Sequence, residues 1–143
     1  MVTRMAEAEW RGDFETGQGR IKLGSAAYAT EYVYRSRFES APETGPEELS
    51  GAVEAGYFTM ALALGLTGKG HPPKSIRTKA RVRLVKDGDG FSIERIKIET
   101  EGNVPGISEA DFHAQVALAK KDCPVSKALT ATPIKVHATL LKS

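Results

Sequence analysis

Two hydrophobic patterns stand out along the 143-residue chain. From residue 76 to 84 apolar and charged side chains alternate without a break. Ile76, Thr78, Ala80, Val82 and Leu84 fall on one face, and Arg77, Lys79, Arg81 and Arg83 on the other. A period of two is that of a half-buried antiparallel strand with one wet, basic side. From 45 to 66 the sequence GPEELSGAVEAGYFTMALALGL shows no such alternation. Pro46 suits a first helical position, Gly45 an N-cap, and Glu47 and Glu48 the positive end of the helix dipole. Beyond Leu49 nearly every residue is small or apolar. A helix apolar on nearly every face is expected to be buried on nearly every face. Its length of about 30 Å would fit a bilayer, but Glu54, Thr59 and the scattered glycines favour the central helix of a soluble core over a membrane span.

The remaining pattern predicts shorter elements. Residues 5–10 form a first strand, FETGQG a turn, and residues 20–23 a second strand. Residues 28–38 are rich in aromatic and β-branched residues and are expected to be extended, with Tyr28, Tyr32 and Tyr34 on one face. SAPETGP is a loop. After the helix, Gly65, Gly68, Gly70 and Pro72-Pro73 turn the chain. Lys86-Asp87-Gly88-Asp89-Gly90 is a hairpin turn leading to a strand over 91–100. In that strand Phe91 and Ile93 are out of phase with Ile96 and Ile98, which calls for a bulge near Glu94-Arg95. Ser108 caps a second helix, with Phe112, Val116 and Ala119 on one stripe and Gln115 and Lys120 at its edges. Pro124 opens a short third helix, and residues 134–140 alternate as a last strand. Strands, long helix, hairpin, helices and strand together read as α+β with segregated antiparallel sheets.

Composition narrows the function. The chain is 41% hydrophobic and 27% charged, which is ordinarily globular, and its length suits one domain over 1–143. A net charge of +2 is too small to argue for nucleic acid, and the basic strand face reads as solvated surface. The sequence MVTRMAEAEWRGD has no apolar signal region, and a single cysteine, Cys123, rules out an intramolecular disulfide; a cytoplasmic location is expected. His71, His113 and His137 lack metal-ligand spacing, so neither metal nor cofactor is expected. The nearly all-apolar helix needs more cover than one chain of this size offers, so a homodimer is expected.

The long helix also carries a resemblance. Its start, G-P-E-E-L, its small-residue run into Y-F-T-M-A, R-F-E at 37–39, V-P-G-I at 104–107, C-P-V-S at 123–126 and the closing L-K-S are similar to segments of the OsmC/Ohr family, the osmotically inducible and organic hydroperoxide resistance proteins. The resemblance runs over almost the full length and is to the OsmC-like branch. It implies an intertwined homodimer and a peroxiredoxin-like reduction of organic hydroperoxides under oxidative or osmotic stress. In that chemistry a thiolate attacks the peroxide, an arginine activates the thiol, a glutamate orients the arginine, and a second cysteine resolves the sulfenic acid. The matching motifs put Arg37 on the arginine, Glu47 on the glutamate and Cys123 on the resolving cysteine. Tyr57 stands at the reactive cysteine. A phenol, with a pKa of about 10, is a poor two-electron reductant and cannot form a disulfide, so the two-cysteine cycle is broken.

Each residue also has a plainer role. Tyr57 on a buried helix reads as a core aromatic, Arg37 with Glu47 as an ion pair at a helix start, and Cys123 as a small buried hydrophobe. Glu54 stands where the family often has histidine; a buried carboxyl there needs a partner, and Tyr57 is within helical reach. Three functions remain: a binding protein that kept an apolar pocket for a small ligand or hydroperoxide, a one-cysteine peroxidase using Cys123 with Arg37 and Glu47, and a purely structural homodimer. The first is preferred, and none needs a nucleic-acid or membrane partner.

Overall fold

The computed structural model describes residues 2–39 and 43–142; residues 40–42 of the predicted loop and Ser143 of L-K-S lie outside them. The chain forms two compact units, Met1–Leu49 and Ser50–Ser143.

The first unit is a three-stranded antiparallel sheet in the order β1 (Ala6–Arg11), β2 (Gln18–Leu23), β3 (Ala29–Tyr32). The Trp10 and Tyr32 rings lie 5.6 Å apart and flank Gly19, where a Cβ would stand only 2.5 Å from the Tyr32 ring. The extended run predicted over 28–38 stops at Tyr32. Residues Tyr34–Phe38 form a one-turn helix, α1, so Tyr34 does not continue the face of Tyr28 and Tyr32. Two local interactions outweigh the strand propensity there. The Val33 N–H donates to Ser36 Oγ at 3.0 Å, and that hydroxyl donates back to the Val33 carbonyl at 2.8 Å. The curl also lets Phe14, Tyr34 and Phe38 stack edge-on, with centroids 5.0 to 6.2 Å apart.

The second unit contains a sheet ordered β4 (Ser75–Asp87), β5 (Gly90–Asn103), β6 (Ile134–Leu140). β4 and β5 form the predicted hairpin, with Gly88 at φ +59° in the turn. Arg83 pairs with Arg95 but Leu84 with Ile93, which leaves Glu94 as the extra residue of a bulge. This returns Ile93 to the face of Ile96 and Ile98, as the phase of the sequence requires. β6 pairs with β5 in parallel, a direction that alternation alone does not encode.

The helix α2 (Pro46–Gly68) begins with the expected cap. The Gly45 N–H donates to the Glu48 carboxylate at 3.0 Å, half of a capping box. Within the second unit it lays Gly51, Glu54, Phe58, Leu62 and Leu66 on the sheet. At Gly51 a Cβ would lie 3.3 Å from Val82, so the missing side chain allows the close approach. Helix α3 (Glu109–Asp122) brings Phe112, Val116 and Ala119 to the same core, and the Asp111 N–H donates to Ser108 Oγ at 3.1 Å as the sequence predicts. A hydroxyl chain from Thr59 through Thr78 to Thr100, at 2.6 and 2.9 Å, pins α2 to β4 and β5.

Within the single chain, burial does not reach every face of α2. Val53 and Tyr57 are each 49% exposed, Met60 73% and Leu64 76%. Their spacing of four, three and four residues makes one continuous stripe. The second unit has only one sheet to lay against α2, so within that unit the opposite apolar stripe stays open.

Candidate functional site

The open stripe of α2 and the neighbouring surface of α3 enclose a groove of about 430 Å³, within the range of small-molecule sites. Its walls are Tyr57, Met60, Ala61 and Leu64 from α2, and Gln115, Leu118 and Ala119 from α3; Asp122 and Pro124 close one end. Helical spacing explains the walls. Tyr57, Met60 and Leu64 recur every three or four residues, and so do Gln115, Leu118 and Asp122. A larger hollow, about 670 Å³, runs along β1 and β2, but it is rimmed by the charged Glu7, Glu9, Arg11, Arg20 and Lys22.

Tyr57 is therefore not a core aromatic of this chain. It stands half exposed on the groove wall. Nor does it partner Glu54. That carboxyl is fully buried and accepts a 2.8 Å hydrogen bond from Ser126 Oγ on helix α4 (Pro124–Ala128), while its Oε2 has no partner among the described residues. Glu54 lies on the packed side of α2 and Tyr57 on its open stripe. Ser126, 72 residues away, supplies the donor that reach along one helix suggests Tyr57 would give.

Cys123 is the N-cap of α4, with Pro124 at the first helical position as predicted, and it is fully buried. Its neighbours Asp122 and Pro124 reach the groove, but the cysteine does not line it. Arg37 and Glu47 do meet. Arg37 Nε donates to Glu47 Oε1 at 3.0 Å, with side-chain exposures of 42% and 17%. The guanidinium also lies 5.1 Å from the centroid of the Phe38 ring, so it is held by both a carboxylate and an aromatic face. This pair belongs to the first unit, and Tyr57, Cys123 and the groove to the second.

The groove-facing Gln115 is missed by sequence reasoning. It is only 7% exposed. Lying three residues after Phe112 and four before Ala119, it holds a core-facing position, and a polar side chain in that position is the signal available in the sequence. No group of His, Cys, Asp and Glu among the described residues has the arrangement of a metal site.

The geometry fits the resemblance, and comparison with known proteins settles the family. The profile described as OsmC-like protein matches residues 39–138. The chain is 40% identical over 131 residues to the Escherichia coli (strain K12) protein named peroxiredoxin OsmC, a match that covers 91% of this chain and 92% of that relative. It belongs to the OsmC family. Solved structures share the OsmC fold. The OsmC-like protein from Mycoplasma pneumoniae superposes with a TM-score of 0.79 at 17% identity over 99% of both chains. The organic hydroperoxide resistance protein OhrB of Bacillus subtilis gives 0.66 at 24% identity, over 96% of this chain and 98% of that one. Measured against the OsmC chemistry, the chain pairs Arg37 with Glu47, carries a phenol on the open groove and buries its one thiol.

Proposed function

We propose that this chain is an OsmC-like stress protein that binds a small apolar molecule and has lost, or keeps only weakly, the organic hydroperoxide reduction that the family resemblance implies. Tyr57 carries this reading. Where the resemblance puts the reactive thiol, a half-exposed phenol stands on an apolar groove. Such a surface can hold an apolar body, but it offers a hydroperoxide no sulfur to oxidise. The one-cysteine alternative needs the peroxide oxygen to reach Cys123 Sγ, and the full burial of that residue counts against it.

In this proposal 1–143 acts as one cytoplasmic domain, without metal, nucleic acid or membrane. A second copy covers the stripe of Val53, Tyr57, Met60 and Leu64, and the pocket then lies at the interface of a homodimer. The exposed apolar stripe supports this, because monomers rarely leave such a surface uncovered. Arg37 and Glu47 remain as the family's polar pair.

Native mass spectrometry of the purified protein is expected to show a dimer carrying a small molecule that organic extraction releases. A dimer that never carries or accepts an apolar compound would leave only the structural role. For the alternative, organic hydroperoxide with a sulfenic-acid trap should leave Cys123 unlabelled, and rapid labelling would revive it.

A further inference from the structure

Groove walls made of methionine, leucine and alanine do not require a polar group, yet Gln115 stands among them. The residue is only 7% exposed, and its amide makes no hydrogen bond to any described residue. Among the described residues the fully buried unpartnered side-chain atoms are Glu54 Oε2 and Asn103 Oδ1, so the Gln115 amide is not sealed off and meets solvent through the groove it lines. The backbone leaves room for it at one point. A Cβ on Gly65 would lie 2.7 Å from Gln115 Oε1, closer than side-chain atoms approach one another, so an L-residue at 65 would push the amide aside. Gly65 lies in the last turn of α2 without the positive φ that would itself call for glycine. Clearance for the Gln115 amide gives that glycine a purpose.

We propose that Gln115 is the specificity-determining residue of the groove, selecting a ligand that joins an apolar body to a neutral carboxamide-type head. This rests on the binding function proposed above and names its ligand class. A glutamine amide presents a donor and an acceptor side by side, and its natural complement is a head that does the same. An anionic head would meet Asp122, the one carboxylate among the lining residues, with no lining cation to offset it. A neutral head on Gln115 leaves the apolar body against Met60, Leu64 and Leu118.

The test uses the isotope-labelled full-length protein and two neutral probes of similar bulk, 3-phenylpropanamide and butylbenzene, followed by nuclear magnetic resonance. The amide probe is expected to shift the Gln115 side-chain NH₂ signals. Gln115→Leu should weaken the amide probe about tenfold and change butylbenzene less than twofold, the pattern of one lost hydrogen bond at unchanged packing. Gly65→Ala keeps the glutamine but crowds it, and should produce the same selective loss; it carries the test if Gln115→Leu fails to fold. Equal weakening of both probes, or of neither, would overturn the assignment while leaving the binding function intact. Failure of both probes to bind the parent protein would remove the binding function and this inference with it. Gln115 signals that shift on dilution of the dimer but not with the amide probe would also overturn it, by assigning the amide to a second copy of the chain.

Discussion

The two long faces of α2 are built from the same kinds of residue and meet different fates. One carries Gly51, Phe58, Leu62 and Leu66 into the core on β4 and β5; the other leaves Val53, Tyr57, Met60 and Leu64 open. Composition does not separate them, because both are apolar. The polar intrusions do. The packed face contains Glu54, matched to Ser126, and the open side of the helix meets Gln115, which has no hydrogen-bond partner among the described residues. On the packed face one Glu54 oxygen is answered by Ser126 and the other has no partner among the described residues, while on the open side the Gln115 amide faces the groove.

The comparison breaks most visibly if the packed face can be truncated cheaply. Phe58→Ala or Leu62→Ala removes a fully buried side chain from the centre of the core and should cost about 3–5 kcal/mol in denaturant unfolding. Met60→Ala on the open face should cost a monomer less than about 0.5 kcal/mol. Similar losses from both faces in a monomeric state would erase the distinction.

Next in size is the buried carboxyl. Ser126→Ala takes away the hydrogen bond to Glu54 Oε1 and leaves both carboxyl oxygens without a partner, at a cost of about 1–3 kcal/mol. In Glu54→Met the apolar side chain asks nothing of Ser126, so adding Ser126→Ala to that variant should cost much less. Additive losses in the double-mutant cycle would show that the bond contributes little.

The open face is sharpened by charge. Met60→Asp with Leu64→Asp places carboxylates on the exposed stripe, which should leave the fold intact and shift the sedimentation profile from dimer to monomer. A dimer that survives both substitutions would place the interface elsewhere.

The smallest effect concerns the outer side of the sheet, away from α2. A hydrogen bond from Lys97, with the nearby charge of Arg81, holds the Glu99 carboxyl below its ordinary value of 4.5. A carboxyl lowered on folding contributes stability above its unfolded pKa and loses it as pH falls through the folded value. Wild type should therefore be slightly more stable than Glu99→Gln near neutral pH, and the gap in melting temperature should close as the pH falls through the lowered folded value. A gap that does not vary with pH would deny Glu99 this role.

Much of this was legible in the residues. Alternation over 76–84, the phase slip at Glu94, the Ser108 cap and Pro124 at a helix start are local signals, and local geometry obeyed them. Three features were not legible, each for a physical reason. Tyr34–Phe38 has strand-like composition, but a Ser36 bond and ring stacking curl it. β6 runs parallel to β5, and alternation is the same in either direction. The split of α2 into packed and open faces follows from how many layers cover it, which a uniformly apolar stretch does not record. At the site, the meeting of Arg37 with Glu47 followed the motifs. Ser126 and Gln115 were hidden because their roles arise from tertiary neighbours, Glu54 across 72 residues and Gly65 on a different helix.

The most direct measurement compares organic hydroperoxide consumption, with a dithiol as reductant, by the parent protein and by Tyr57→Cys, after a folding check on the variant. If Tyr57 occupies the place of the reactive thiol, the parent should consume peroxide no faster than the buffer. The variant should gain turnover and form a disulfide with Cys123 on oxidation. Turnover by the parent that the substitution does not raise would contradict the account.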